Sequence, residues 1–470
     1  MKWLLGLSSL FVGFTLHRFN QSVFLTRFAL TSRFIPATEN ALRFEGRWLA
    51  NEDDGSAVAD WPCSTIHVRV KVNDPSQSGL RIHWRGVRVR ILVRIEKEDG
   101  SIPSSETILA GPAFDFPLAQ PDIHLISFPS EGAFHVSIRK LNNAVPLGMG
   151  LANSIFDPSI VKVYGFDQEG GIELLPFEQV PERILDFIGA SDTAGYCVDG
   201  TRDMSDVYSE LAGWEYDNCD STVGGDLAKR FQAQVSFQAS AGMGVTQNAA
   251  AAEQWQLGPL PLPALINRTL MTNSKERWPY ETRPLPDLVV VSLGGNDFNH
   301  QGGHVPTDAK FSSAYKDLLL DLFLNKYSSN HTEDPSKERP KIVSVCGQGS
   351  PDEGNDQNRC RACPHIEEAV NDFQAENPFG LGSFVDYIFV PCDGSVVTGE
   401  DDIGCNGHKN RLGQKRVADF VEPQLREIMG WTTEAIETNE EIPDTNEYVI
   451  DTAEDNPDTV DGIPTPVFGD

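Results

Sequence analysis

Three short segments of the 470-residue chain carry residue types that, brought together, could perform an acyl transfer. The first is Phe187-Ile-Gly-Ala-Ser-Asp-Thr193, in which Ser191 follows an apolar run and sits in a turn of small residues. A hydroxyl there is a nucleophile once a base takes its proton, and the turn's own N–H can face the oxyanion that forms. The second is Leu293-Gly-Gly-Asn-Asp-Phe298, where Asn296 offers a neutral amide donor that leaves the nucleophile's proton transfer undisturbed. The third, Gly404-Cys-Asn-Gly-His-Lys-Asn410, presents His408 from a glycine-bearing loop as a general base for serine. Singly, each segment is also an ordinary turn composition.

Such groups work together only if one scaffold brings them to a common rim, and the carboxyl ends of parallel strands provide one. After Pro181 the sequence has the required texture. Strands are expected at Ile184–Ile188, Asp287–Leu293, Lys341–Val345 and Phe384–Val390, and helices at Asp226–Ala233, Lys310–Asn325 and Arg416–Met429. This alternation predicts an α/β domain, a mainly parallel sheet with helices on both faces. Between Ala37 and Phe177 the pattern is instead one of short strands: Ser64–Val70, Gly86–Ile95, His124–Phe128, Ala133–Lys140 and Val161–Phe166, with a turn at Glu98-Asp-Gly100. A β-sandwich follows from that spacing. The expected division is a targeting or anchor segment over 1–36, a β-sandwich over 37–180, the α/β domain over 181–431 and an acidic tail over 432–470.

A formal net charge of −30 excludes nucleic acid as a partner, since phosphate backbones are bound by neutralising them with Lys and Arg, and favours a neutral substrate. Part of the acidity is local: Thr432–Asp470 holds twelve Asp or Glu and no Lys or Arg, the composition of a disordered, solvated extension. At the other end, Met1-Lys2 leads into the apolar run Trp3–Leu16, of signal-peptide length, with no small-x-small cleavage site after it. Secretion or the secretory pathway is favoured, with an uncleaved signal anchor, hence a membrane, or organelle targeting as the alternatives. Eight cysteines and the sequons Asn267-Arg-Thr269 and Asn330-His-Thr332 suit an oxidising, glycosylating compartment. Cys392 and Cys405 bracket the approach to His408 and are expected to pair, as are Cys197 and Cys219. Cys360-Arg-Ala-Cys363 has no second half of a zinc site, so a local disulfide or two unrelated thiols is expected in place of a metal.

The order Gly189-x-Ser191-x-Thr193, a glycine in Ala241-Gly-Met-Gly244, Gly294-x-Asn296-Asp297 and a late His408 resembles the four blocks of the SGNH, or GDSL, hydrolases. The likeness implies Ser191 as nucleophile, His408 as base, and an oxyanion hole built from the Ser191 N–H, the Gly242 N–H and the Asn296 amide. The chain is similar in particular to the two-domain acetyl esterases of carbohydrate esterase family 2, which join a jelly-roll sandwich to an SGNH domain. Phe44-Glu-Gly-Arg-Trp48, Trp61-Pro-Cys-Ser-Thr-Ile66, Val163-Tyr-Gly-Phe166 before Leu174-Leu-Pro176, and Asn267-Arg-Thr-Leu270 carry that likeness in order, from about Arg43 to Trp431. It implies removal of O-acetyl groups from an oligosaccharide or polysaccharide without a cofactor. The alternatives are an SGNH lipase or acyltransferase, or a carbohydrate-binding protein with a weakened site. The family places Asp two or three residues before the histidine and Pro after it, where this chain has Asn406, Cys405 and Lys409, and Ala190 replaces an Asp common in block one. Asn406 can orient the imidazole but not neutralise it, so three arrangements remain open: Asp401 or Asp402 reaches in, a backbone carbonyl holds the ring, or a slower Ser-His dyad works alone. The sequence does not fix the oligomeric state.

Overall fold

The computed structural model describes residues 33–432 apart from 77, 113–120, 144–158, 202–212, 250–259, 300–303, 328–338, 348–359, 377–380 and 399. The apolar run Trp3–Leu16, the sequon at Asn330 and the acidic tail after Thr432 lie outside the described residues.

The first twelve strands are β1 (Arg33–Pro36), β2 (Arg43–Glu45), β3 (Leu49–Asn51), β4 (Ser56–Ala59), β5 (Thr65–Val72), β6 (Gly79–Gly86), β7 (Arg90–Lys97), β8 (Ser105–Ala110), β9 (Asp122–Ser127), β10 (Gly132–Lys140), β11 (Val161–Gln168) and β12 (Ile172–Leu174). They form two antiparallel sheets. One runs β3-β4-β11-β6-β9 with β1 on β11; the other runs β12-β5-β10-β7-β8 with β2 on β5. Alternation builds the core between them: Ile66, Val68 and Val70 of β5 lie opposite Ile138, Val136 and Phe134 of β10, and pack with Leu80, Ile82, Trp84, Val161 and Val163 of the facing sheet.

Two expectations need correction here. Gly86–Ile95 is not one strand. β6 ends at Gly86 and β7 begins at Arg90 in the other sheet, with Arg88 at φ 52 between them. A Cβ on Gly86 would lie 2.9 Å from the Val89 side chain, so the chain can fold back this tightly only at glycine. The alternation of the run continues through the change of sheet, and this hides the turn. β1, in turn, begins inside the segment read as targeting, and pairs with β11 from Arg33 onward.

The remaining strands are β13 (Arg183–Gly189), β14 (Ala233–Ala239), β15 (Leu288–Ser292), β16 (Lys341–Cys346) and β17 (Val385–Phe389), in the order β14-β13-β15-β16-β17 with every pair parallel. The helices that bear on the site are α1 (Ser191–Ala194), α2 (Val223–Arg230), α3 (Asp308–Asp321), α4 (Cys363–Glu376) and α5 (Arg411–Met429). Successive β15 residues face opposite ways. Val289 and Val291 pack with Phe311 and Leu318 of α3 and Ile366 and Phe373 of α4, whereas Val290 packs with Leu227 of α2 and Val417, Val421 and Leu425 of α5. Burial on both faces explains why these strands read as continuous apolar runs. The helix expected to reach Ala233 stops at Arg230. Gln232 takes φ 50, and Ala233 already belongs to β14. Helix α5 starts before the expected Arg416 because the Asn410 side chain caps it, accepting from Leu412 N and Gly413 N.

All eight cysteines are bridged, as Cys63–Cys219, Cys197–Cys405, Cys346–Cys363 and Cys360–Cys392. Neither expected pair forms, and the Cys-x-x-Cys pair does not close on itself. The reason is topological. Cys405 folds over the end of the sheet onto the segment that follows Ser191, and Cys363 opens α4 against Cys346 at the end of β16. The first bridge ties the two antiparallel sheets to the α/β unit. Buried polar contacts reinforce the junction: Arg139 and Arg94 reach Asp220, and Asp60 accepts the N–H groups of Met271 and Thr272.

Candidate active site

In the parallel sheet, Gly189 is in register with Ala239 of β14 and with Ser292 of β15. The segments that carry Ser191, Gly242 and Asn296 therefore leave the same edge of three adjacent strands. Ser191 is reached through a close approach: a Cβ on Gly189 would lie 2.0 Å from Thr193 Oγ1, so glycine is required where α1 folds over the strand end. That single turn is closed by Ala194 N donating to Ala190 O at 2.9 Å. Gly195, at φ 84, ends it.

Ser191 Oγ lies 2.9 Å from His408 Nε2, although the two residues are far apart in sequence. The other ring nitrogen, Nδ1, lies 3.0 Å from the backbone carbonyl of Asn406. A carbonyl can only accept, so Nδ1 carries the hydrogen and Nε2 keeps its lone pair toward the serine hydroxyl. Asn406 has φ 54, the left-handed region that Asn tolerates better than most residues. Its side chain donates to Tyr196 Oη at 2.9 Å, and the Tyr196 and His408 rings meet in a T-shaped contact with centroids 4.9 Å apart. Asp402 is buried and directs Oδ2 to Thr398 N at 2.8 Å and to Arg416 at 3.2 Å. Asp401 offers its backbone carbonyl to the Asn410 side chain.

The histidine loop is tied to the serine segment at two further places. One is the Cys197–Cys405 bridge. The other is an ion pair between their neighbours, Lys409 Nζ and Asp192 Oδ2, at 2.8 Å. Gln414 of α5 donates to the Asp192 carbonyl at 3.2 Å. Lys409 is thus a tie to the residue beside Ser191.

Gly242 occupies the left-handed region at φ 77, in a turn closed by Met243 N to Ser240 O. Asn296 donates through Nδ2 to Met243 O at 2.8 Å, which joins the Gly242 turn to the Asn296 loop. Asp297 strengthens the joint. It is fully buried and accepts from Val245 N (2.8 Å), Thr246 N (2.6 Å), Thr246 Oγ1 (2.7 Å) and Gln247 N (3.2 Å). Burial pushes its carboxyl up, against the pull of those hydrogen bonds. The residues missed by sequence reasoning are of this supporting kind: Asp192 with Lys409, Tyr196, and Asp297. Asp297 had a signal in its place beside Asn296, and Lys409 in its place after His408. Among the described residues, no group of three His, Cys, Asp or Glu side chains is arranged to hold a metal ion.

No protein-family model matches the chain, and no curated protein matches it. Solved structures do. A family two carbohydrate esterase from Cellvibrio japonicus is 21% identical, with a TM-score of 0.61 over 85% of this chain and 99% of that one. A family two carbohydrate esterase from Clostridium thermocellum in complex with cellohexaose is 21% identical, with a TM-score of 0.61 over 83% and 100% of the two chains. An acetyl xylan esterase from the rumen bacterium Butyrivibrio proteoclasticus is 17% identical, with a TM-score of 0.61 over 85% and 99%. The chain has the SGNH fold of the family two carbohydrate esterases.

Proposed function

We propose that the chain is a serine esterase that removes O-acetyl groups from a carbohydrate through an acyl-enzyme. The observation that carries this reading is the 2.9 Å contact between Ser191 Oγ and His408 Nε2, with Nδ1 engaged by a group that can only accept. Ser191 Oγ attacks the acetyl carbonyl carbon while its proton passes to His408 Nε2. The oxyanion rests on the N–H groups of Ser191 and Gly242 and on the second amide hydrogen of Asn296, the first being held by Met243 O. Collapse of the intermediate breaks the bond to the sugar oxygen, which leaves as a hydroxyl with the proton from His408. Water, deprotonated by His408, then attacks the acyl-enzyme, and acetate departs as Ser191 recovers its hydrogen. No cofactor enters this cycle.

The carbohydrate substrate is drawn from the structural neighbours, one of which is an acetyl xylan esterase and another of which is in complex with cellohexaose. The antiparallel sheets would form a jelly-roll sandwich that walls one side of the cleft. The bridging of all eight cysteines supports work in an oxidising compartment, on the secretory route or outside the cell. Among the described residues no helix is long and apolar enough to cross a membrane.

The test is turnover of 4-nitrophenyl acetate and acetate release from acetylated xylan. Ser191→Ala is expected to abolish both while the protein stays folded. A folded wild-type protein that releases acetate no faster than buffer would remove the esterase reading and leave that of a binding protein. A chain-length series from acetyl to octanoyl esters separates an acetylesterase from a lipase.

A further inference from the structure

The strand β10 leaves the antiparallel sheets at Lys140 and delivers Leu141-Asn142-Asn143 into the α/β unit. Each of these three residues is almost wholly buried and bound at its new site. Cys219 N donates to Leu141 O at 3.1 Å, and the Asn142 side chain donates to Trp214 O at 2.7 Å. Asn143 N donates to Asp217 Oδ2 at 3.1 Å. The second oxygen of Asp217 accepts from Cys197 N at 3.3 Å, on the segment bridged to the histidine loop.

The side chain of Asn143 goes further. Its Oδ1 accepts from Ala241 N at 3.1 Å. Ala241 directly precedes Gly242 and opens the turn in which that glycine takes φ 77. The stretch between β14 and Gly242 is thus suspended at two points: Ser240 N donates to Gly189 O at 3.3 Å, and Ala241 N is held by Asn143. The first point fixes it to the strand that carries Ser191, and the second fixes it to the neighbouring antiparallel sheets.

We infer that Asn143 is a positioning residue for the oxyanion hole, contributed by the amino-terminal sheets and acting through the Ala241 N–H to aim the N–H of Gly242. The inference rests on the esterase reading and goes beyond it, because it makes those sheets part of the catalytic apparatus as well as a wall for substrate. Donors to an oxyanion act by being fixed before the charge develops, and losing one costs roughly 100- to 1,000-fold in kcat. A donor that is kept but loosened loses less.

The experiment compares Asn143→Leu, which keeps the volume and deletes the acceptor, with Asn143→Asp, which keeps an acceptor in place. For Asn143→Leu, kcat on 4-nitrophenyl acetate is expected to fall about 30-fold with KM changed less than about threefold, and the pH profile of kcat/KM should keep its shape because His408 is untouched. Inhibition by methaneboronic acid, whose serine adduct carries a negative oxygen, should weaken by a similar factor, and a merely structural residue would not produce that parallel. Asn143→Asp should stay within about tenfold of the wild-type kcat. A folded Asn143→Leu protein with wild-type kcat, or with a change in KM alone, overturns the inference. If Asn143→Leu fails to fold, a folded Asn143→Asp protein whose kcat falls more than about tenfold overturns it. A wild-type protein without turnover removes the esterase reading, and this inference with it; turnover by wild type alongside unchanged kcat in Asn143→Leu removes this inference alone.

Discussion

Removing the Cys197–Cys405 bridge tests how His408 is held. The two cysteines are 208 residues apart in sequence. The Cys346–Cys363 and Cys360–Cys392 bridges shorten the connecting path to roughly 170 residues. Closing a loop of that length restricts the unfolded chain by about 5 kcal/mol in the chain-entropy treatment, and measured values for native bridges run to about 2–5 kcal/mol. In a chain of this size each kcal/mol moves Tm by about 2 °C, so Cys197→Ser/Cys405→Ser should melt about 4–10 °C lower by calorimetry. Activity should fall as well. Without the bridge, the loop keeps the Asn406–Tyr196 contact and the Lys409–Asp192 pair as ties to the serine segment, together with its internal bond from His408 N to Cys405 O. Fixing one residue's backbone costs about 1–2 kcal/mol, so freedom returned to one residue leaves about a tenth of the molecules with the imidazole aligned and lowers kcat about tenfold. The assay is ester turnover well below the new Tm, with mutation in place of reductant because reductant would open all four bridges. A double variant that melts lower yet keeps the wild-type kcat would refute the claim that this bridge positions the base.

Lys409→Met breaks the pair with Asp192 inside a largely buried contact. Asp192 keeps partial access to water, so the expected loss is about 1–3 kcal/mol in denaturant titration together with lower kcat, and Lys409→Arg should recover most of both. Burial lowers the imidazole of His67 to about 4, against the opposing pull of Glu45. Between about pH 6.5 and 4 the unfolded chain therefore binds a proton that the folded chain refuses, and stability drops as pH falls through that window, by up to about 3 kcal/mol. Tm measured against pH should show this slope, and His67→Gln should flatten it. Asn406→Gly keeps the left-handed backbone that turns its carbonyl to His408 and should retain most of kcat, whereas Asn406→Val, strained at φ 54, should lose at least about tenfold. The reverse order in kinetic assays would assign the orienting role to the side chain.

The sequence was most legible where one local rule decides the outcome. Ser191, Asn296 and His408 stand out because strand ends, small-residue turns and a late histidine are each written in a few adjacent residues, and the parallel sheet brings the Ser191 and Asn296 segments to the same strand ends. What sequence could not supply is proximity between loops. Cys405 has Cys392 near it in sequence but Cys197 near it in space, and nothing in either loop records how the two fold across the sheet end. The Gly86–Ile95 run hid a change of sheet because its apolar alternation continues through the turn at Arg88. β14 was missed since Gln-Val-Ser-Phe-Gln, half polar, follows a helix with no proline between them. The supporting residues were the least legible. Asn143 lies at the end of one fold unit and acts in another, and no periodicity within either unit marks it.

The Asn406 carbonyl at 3.0 Å from His408 Nδ1 stands where a serine hydrolase commonly has a carboxylate, and the substitution has two consequences of unequal size. In serine hydrolases the triad carboxylate selects the ring tautomer and stabilises the imidazolium. Replacing it with a neutral amide costs roughly 10,000-fold in kcat, chiefly because the amide stabilises the wrong tautomer. The Asn406 carbonyl cannot make that error. It has no hydrogen to donate, so it imposes the same Nδ1–H form that a carboxylate would, and Nε2 is left to take the serine proton. What the carbonyl lacks is net charge, so its own contribution to the imidazolium is that of a dipole. The chain thus keeps the tautomer, the larger of the two effects, with the ring flanked by the Cys197–Cys405 bridge and by Tyr196. A backbone carbonyl in this position can select the tautomer that a serine hydroxyl needs of its histidine, and it differs from a carboxylate chiefly in charge stabilisation of the protonated ring.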